Sequence, residues 1–175
     1  TDDNGCSTTE SITVNALPAA PTASNIDYCQ DETATALSAT ALTGHTLVWY
    51  DTDATTALTS APTPTTTTAG TTTYYVAQSN DNTGCEGAQA SITVTVNPTP
   101  TISGSTSVCV DATTTLTGSG NPATTSPWAS SDDDIATVSS LGLVTGVAAG
   151  TVTITYTDDN GCSTTESITV NALPA

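Results

Sequence analysis

The chain of 175 residues carries 17 acidic side chains, one histidine and no lysine or arginine, which gives a formal net charge of −17. Nucleic acids and anionic membranes attract proteins chiefly through Lys and Arg, so this composition argues against both as partners. With no Phe, no Met, two Trp and five Tyr, any core rests mainly on aliphatic residues, and small domains of this kind commonly need disulfides.

One nineteen-residue sequence, TDDNGCSTTESITVNALPA, occupies both residues 1–19 and residues 157–175, an offset of 156. A repeat this faithful is typical of a tandem array. We therefore interpret the chain as one full period preceded by the end of another, and predict that residues 1–19 are the terminal strand of the preceding repeat. Two interpretations stay open for this segment: covalent continuation, which is preferred, and donation of the strand to a neighbouring subunit.

The first domain is predicted over residues 20–98 as a series of short strands. Thr alternating with apolar residues, and compact apolar runs, predict strands at 33–42, 47–50, 71–78 and 90–96. The stretch 51–68 is polar and Pro-bearing, and its Thr-rich part at 64–68 predicts a loop. The Asn/Asp/Gly cluster at 79–84 predicts the turn of the last hairpin. Lone His45 lies in a predicted turn before the Trp49 strand.

The second domain, predicted over residues 99–175, repeats this plan. Residues 102–110 lead to Cys109, Trp128 takes the place of Trp49, and a final hairpin runs through 151–156, turns at 158–161 and returns through 168–170. No segment has a helical period. The pattern predicts an all-β chain of tandem β-sandwiches arranged as beads on a string, joined by short Pro-bearing linkers at 17–21 and 97–100.

Two motifs resemble known families. The sequence SSD at 130–132, followed by IATV at 135–138 and GLVTGVAAGTVTI at 142–154, resembles the bacterial Ig-like domain of group 2. The sequences LVWYD at 47–51, TYYV at 73–76 and GCE at 84–86 are similar to Ig-like modules in large surface adhesins of gliding, type 9-secreting bacteria. The resemblance implies tandem Ig-like sandwiches of an extracellular repeat protein, and it carries no catalytic residue across.

The five cysteines are the candidates for disulfide bonds that stabilise these small domains. Cys85 and Cys162 each follow the turn of a last hairpin, and Cys29 and Cys109 each precede a second strand, so we predict the pairs Cys29–Cys85 and Cys109–Cys162. Cys6 is the twin of Cys162 and is expected to pair outside this repeat. Metal-thiolate chemistry is the alternative, but there is no CxxC pair, and small exported β domains favour disulfides.

Acidic turns are the candidate cation sites. Their carboxylates suit Ca²⁺, although Asp and Asn are also common in turns for conformational reasons. The candidate ligands are Asp81, Asp132, Asp133, Asp134, Asp158 and Asp159. No other cofactor is expected.

The predicted function is structural rather than enzymatic. His45 has no nucleophile motif beside it, and Trp49 and Trp128 are expected in the cores. We expect a repeat unit of an extracellular, cell-surface filament or giant adhesin whose main partner is itself. The export signal and anchor are expected outside this sequence. The alternatives are an Ig-like module that binds a carbohydrate or protein ligand, and a strand-donating subunit of a non-covalent fibre.

Overall fold

The computed structural model describes residues 9–174, and every helix or strand assigned within them is a β-strand. The all-β prediction is therefore confirmed. Within that range no helix has the length and apolar character needed to cross a membrane. Contacts divide the described residues into a first unit (9–26, Thr35–Pro64 and Thr72–Val94) and a second unit (Asp27–Ala34, Thr65–Thr71 and 95–174). The domain boundaries 20–98 and 99–175 stay a prediction, because three short segments of the first span (27–34, 65–71 and 95–98) are grouped with the second unit.

Seven strands lie between residues 22 and 97: β1 (Thr22–Ala23), β2 (Ile26–Cys29), β3 (Ala39–Thr40), β4 (His45–Tyr50), β5 (Ala57–Leu58), β6 (Gly70–Asn80) and β7 (Ala90–Asn97). Strands β1 and β3 pair, and a five-stranded sheet has the order β2-β7-β6-β4-β5. The strands predicted at 47–50, 71–78 and 90–96 are confirmed. The strand predicted at 33–42 is reduced to β3, because the N–H of buried Leu37 bonds to the loop carbonyl of Pro62 at 2.9 Å.

Eight strands follow, all in the second unit: β8 (Ile102–Gly104), β9 (Ser107–Cys109), β10 (Thr113–Gly118), β11 (Trp128–Ser130), β12 (Ala136–Val138), β13 (Leu143–Gly146), β14 (Gly150–Thr157) and β15 (Ser163–Asn171). They form two sheets, β12-β13-β10-β8 and β11-β14-β15-β9. The segment 102–110, which leads to Cys109, is divided between these sheets. It breaks at Gly104, whose φ of 133° is one that residues with a Cβ rarely adopt.

The core of the second unit follows from alternation along β14 and β15. Val152, Ile154 and Tyr156 are buried on β14, and the intervening threonines at 151, 153 and 155 are not. On the antiparallel neighbour β15, Ile168 and Val170 are buried at the same face. Because strand side chains alternate between faces, this period of two gives one apolar and one polar surface. Each fully buried aliphatic side chain contributes about 1.5–3 kcal/mol.

Trp128 closes one end of that core. Its ring lies 4.7 Å from the ring of Tyr156, centroid to centroid, at an interplanar angle of 45°. Gly118 leaves the room that this ring needs, because a Cβ there would come within 2.3 Å of Tyr156. Trp49, on β4, is likewise buried. Both tryptophans are therefore core residues, as predicted.

Residues 9–14 behave differently from their identical twin in β15. Ile168 and Val170 are 0% and 2% exposed, whereas Ile12 and Val14 are 89% and 91% exposed. No strand is assigned at 11–14, and the role of residues 1–19 as the terminal strand of the preceding repeat stays a prediction. The reason is pairing: β15 lies against β14, and the structure gives residues 9–14 no equivalent strand partner within its described range. Residues 1–8 lie outside that range.

The two copies provide a matched test of burial. We expect Ile168→Ala to lower the free energy of unfolding by about 2–5 kcal/mol, because it opens a cavity in a filled core. The same change at Ile12, in the same Ser-Ile-Thr-Val context, should alter it by less than about 0.5 kcal/mol. Urea unfolding of the 175-residue chain measures both values. Equal losses in the two variants would contradict the burial described here.

Candidate functional site

The cysteines are the chemically reactive side chains that the fold brings together. Cys29 and Cys162 form a disulfide, with their Cα atoms 5.5 Å apart and a sequence separation of 133, and both lie in the second unit. Cys85 is half-buried, Cys109 is exposed, and both are free thiols. The predicted pairs Cys29–Cys85 and Cys109–Cys162 are thus corrected. Cys6 lies outside the described residues, so its pairing stays a prediction.

Cys29 and Cys109, which we call the turn cysteines, occupy the same local structure. The N–H of Glu32 bonds to the Cys29 carbonyl oxygen at 3.1 Å, and Asp31 has a φ of 63°. Likewise, the N–H of the residue three positions after Cys109 bonds to the Cys109 carbonyl oxygen at 3.1 Å, and Asp111 has a φ of 62°. Asp is one of the few residues with a Cβ that is often found in this left-handed conformation. The Cys-x-Asp sequence therefore specifies the same turn twice.

Each turn cysteine is also tied to the last strand of its domain. The N–H of Gln30 bonds to the carbonyl oxygen of Asn97 at 2.8 Å, and the N–H of Val110 bonds to that of Asn171 at 2.9 Å. Asn97 ends β7 and Asn171 ends β15. The turn cysteines are therefore structurally equivalent, each one beside the end of a closing strand.

Cys85 and Cys162, which we call the hairpin cysteines, also match each other. The Asp158 N–H bonds to the Cys162 carbonyl oxygen at 2.9 Å, and the Asn80 N–H bonds to the Cys85 carbonyl oxygen at 3.0 Å. The residue before each cysteine is a glycine in the left-handed region, with φ of 82° before Cys162 and 67° before Cys85. The turn that ends at Cys85 is one residue longer than the turn that ends at Cys162. In other respects the two turns close in the same way.

A side chain at the head of each hairpin turn satisfies its backbone. Asp158 is buried, and its Oδ1 accepts N–H bonds from Asn160 at 3.0 Å and from Cys162 at 2.9 Å. Asn80 Oδ1 accepts N–H bonds from the residues two and three positions on, at 3.0 and 3.1 Å. These Asx turns replace backbone pairing where the hairpin reverses.

The candidate calcium ligands are spread over three turns. Besides Asp158, three of them accept hydrogen bonds: Asp132 Oδ1 accepts the Asp134 N–H at 3.0 Å, Asp159 Oδ2 accepts the Asn121 amide at 3.1 Å, and Asp81 Oδ1 accepts the Thr46 hydroxyl at 2.7 Å. Asp133 is exposed on the second of these turns. Within residues 9–174, no three His, Cys, Asp or Glu side chains converge so as to hold a metal ion. Calcium binding stays a prediction from sequence.

Several ionisable groups have pKa values that are shifted by their surroundings. The Tyr50 hydroxyl donates to the Glu86 carboxylate at 2.5 Å, and this bond, with burial and the Glu86 charge, raises the pKa of Tyr50. Burial, reinforced by nearby acidic charge, raises the pKa of Tyr156. The Thr56 hydroxyl and N–H donate to Asp53 and hold the pKa of that carboxyl well below its usual range. Each shift accompanies a local structural contact.

Two further features bear on ligand binding. His45 begins β4, and its Nδ1 lies 3.0 Å from the Thr43 carbonyl oxygen. An open hollow of about 220 Å³ in the second unit is bordered by Trp128, Leu141 and Tyr156. That volume is below the roughly 300–1,000 Å³ of typical small-molecule pockets.

Family comparisons account for both halves of the chain. Residues 18–98 match the Ig-like domain described as CHU_C associated, and residues 90–170 match the bacterial Ig-like domain (group 2). The chain is built from Ig-like domains. This confirms the resemblance seen in the sequence, and Ig-like domain families are generally non-enzymatic. No curated protein sequence matches the chain.

The chain is also similar to several solved structures, at low identity and low TM-score. The C-terminal 282-residue fragment of intimin, in complex with the intimin-binding domain of its translocated receptor, is 23% identical over 62% of this chain and 42% of its own, with a TM-score of 0.39. Immunoglobulin domains 1–4 of Sidekick-1 are 14% identical over 91% and 48%, with a TM-score of 0.41. Fibronectin(III)-like modules of Clostridium thermocellum CbhA are 14% identical over 86% and 90%, with a TM-score of 0.42. The Ig-like chain thus spans less than half of the first two.

The disulfide gives a stability prediction with internal controls. Cys29→Ser and Cys162→Ser should each lower the free energy of unfolding by about 5 kcal/mol, the chain-entropy value for a loop this long. Because one bond is broken in either case, the double variant should cost little more than one single variant. Urea unfolding without reductant measures the losses, and Cys85→Ser is the control with little effect. Matching losses for Cys29→Ser and Cys85→Ser would instead support the pairs predicted from sequence.

The Tyr50–Glu86 bond gives a pH prediction. Below the usual tyrosine pKa of about 10, Tyr50 is protonated in both states, and its bond to Glu86 contributes fully. As pH rises further, the unfolded chain loses the proton before the folded chain does, so this stability is lost through the raised pKa. Glu86→Gln should make the alkaline loss of stability shallower and move Tyr50 towards its usual pKa. Urea unfolding at several alkaline pH values, with tyrosinate absorbance, measures both, and Tyr50→Phe is the control.

Proposed function

We propose that this chain is one period of a tandem Ig-like repeat protein that forms an extracellular filament or giant adhesin stalk at the cell surface. The observation that carries the proposal is the duplicated nineteen-residue sequence. In residues 163–171 it supplies β15, whereas in residues 9–14 it presents the same apolar side chains to solvent. A sequence that closes a sandwich in one place is expected to close another at its second occurrence.

The first domain supports this interpretation with a third copy of the motif. Ser-Ile-Thr-Val occurs at 11–14, 91–94 and 167–170. In β7 and β15 both of its apolar side chains are buried, as Ile92 and Val94 and as Ile168 and Val170. In an array, Ile12 and Val14 would enter the core of the domain upstream, with a gain of about 1.5–3 kcal/mol for each side chain.

Pro18 and Ala19, which follow the first copy of Ser-Ile-Thr-Val, are held against the rest of the first unit by specific contacts. Gln78 is fully buried, its Nε2 donates to the Ala19 carbonyl oxygen at 2.7 Å, and its Oε1 accepts the Leu42 N–H at 2.8 Å. Gly87 allows Pro18 to lie close, because a Cβ at residue 87 would come within 2.2 Å of the Pro18 oxygen. A short linker held in this way supports a stiff connection rather than a flexible tether.

An extracellular location agrees with the chemistry of the chain. Disulfides persist mainly in oxidising compartments outside the cytosol. The lack of Lys and Arg removes every site for trypsin-like proteases, which suits an exposed polymer. A net charge of −17 on 175 residues keeps copies apart in solution except where specific pairing brings them together.

Strand donation is the second candidate, and the exposure of Ile12 and Val14 favours it as well. Residues 1–19 of one subunit would then enter a neighbouring sandwich in place of the identical residues 157–175. The two candidates differ in covalent continuity. Both candidates account for the exposure of Ile12 and Val14 in the isolated chain.

A gel of the native material separates them. Cell-surface protein recognised by antibodies against this chain should run, denatured and reduced, as one very large band, because the periods of a tandem array share one backbone. A ladder with a base near 17.4 kDa would support strand donation instead. Failure of the antibodies to label intact cells would contradict a surface location. Cells lacking the gene are the control for recognition.

A further inference from the structure

The disulfide of this chain joins two kinds of cysteine. Cys29 is a turn cysteine within the first family match, and Cys162 is a hairpin cysteine within the second. The bond therefore runs from the turn cysteine of one Ig-like domain to the hairpin cysteine of the next. Each domain carries one cysteine of each kind. Within residues 9–174, this pattern of pairing leaves two cysteines without a partner: the turn cysteine Cys109 and the hairpin cysteine Cys85.

The repeat supplies the missing partners at the correct spacing. With a period of 156 residues, Cys85 of the following period lies 132 residues after Cys109, which is 85 plus 156 less 109. Cys29 and Cys162 are separated by 133. The difference of one residue equals the difference in length between the two hairpin turns themselves.

Local structure makes the two free thiols suitable for the same bond. Cys109 has the hydrogen bonds and the left-handed Asp of Cys29, and Cys85 has the closing hydrogen bond and the left-handed Gly of Cys162. Cys109 is exposed and Cys85 is half-buried. Both thiols are thus reachable from outside their own units.

We propose that Cys109 forms a disulfide with Cys85 of the following period, so that every pair of successive Ig-like domains in the array is joined by one bond. The proposal rests on the tandem array proposed above. Two thiols lose two protons and two electrons as the S–S bond forms. The electrons pass to a disulfide-bearing oxidant, a small-molecule disulfide or a thiol oxidase of the exporting cell, which is reduced to two thiols.

Together, the Cys29–Cys162 bonds and the proposed Cys109–Cys85 bonds form overlapping loops. Every residue between the first and the last disulfide of the array then lies inside at least one loop closed by a disulfide. With the Cys29–Cys162 bond alone, the residues from Cys162 to Cys29 of the following period lie between loops. The Cys109 bond spans that stretch, which includes the linker after β15. The overlap would limit how far an unfolded period could extend under tension.

A chain of two periods tests the proposal. Residues 1–175 followed directly by a second copy of residues 20–175 contain nine cysteines, five from this chain and four from the repeat. The proposal predicts three free thiols after denaturation without reductant: Cys6, Cys85 of the first period and Cys109 of the second. Without the new bond, five thiols remain free, because both copies of Cys85 and Cys109 are then unpaired.

Peptide mapping identifies the bond. Proteases that cleave at Asp and Glu separate Cys85, in peptide 81–86, from Cys109, in peptide 87–110. Mass spectrometry of monomeric, unreduced two-period protein should find these two peptides linked, and the single-period chain should not contain that link. In the second period, Cys85→Ser should abolish the linked peptide and raise the free-thiol count to four. In the first period, the same change is the matched control and should keep the link while lowering the count to two.

Five free thiols with no linked peptide would overturn the proposal, as would the same link within a monomeric single-period chain. Neither result affects the native gel, so the proposed function would stand. A native ladder based on single chains would contradict the covalent array while leaving the disulfide result of the two-period chain intact. The two failures are therefore distinguishable.

Discussion

The pairing of β15 with β14 is the interaction on which the second unit depends. It places Ile168 opposite Val152 and Val170 opposite Gly150, and it sets Asn171 where the turn of Cys109 bonds to it. The identical residues 9–14 have no such partner within the described range, and their apolar side chains remain in water. The same sequence thus has two environments, and the presence of a hairpin partner is the difference between them.

The sequence was sufficient for the long, alternating strands and for the turns that join them. Threonine alternates with apolar residues along β14, and Asp158 to Gly161 carries the turn chemistry that the structure uses. The segment 33–42 has similar composition, but its strand depends on a neighbour, and Leu37 bonds to a loop instead. Residues 11–14 form no strand for the same reason, because a strand is a property of a pair, and their role as a closing strand stays a prediction.

Cysteine pairing could not be read from spacing. Each domain brings one turn cysteine and one hairpin cysteine, so the near-equal spacings within domains are compatible with bonds inside a domain and with bonds to the next one. Only the position of Cys162 beside Cys29 decides between them. The acidic residues show a related ambiguity. Asp158 and Asp132 occupy turns in which their carboxylates accept backbone N–H bonds, and a sequence does not distinguish that use from cation binding.

Hydrogen exchange tests most directly the claim that the nineteen-residue sequence is a closing strand in every period. In the isolated 175-residue chain, peptides from this sequence should give two isotope envelopes of equal size, one protected from residues 163–171 and one unprotected from residues 9–14. In native surface material, we expect one protected isotope envelope, because every copy of the nineteen-residue sequence would be paired. Persistence of the unprotected envelope at equal intensity in that material would contradict it.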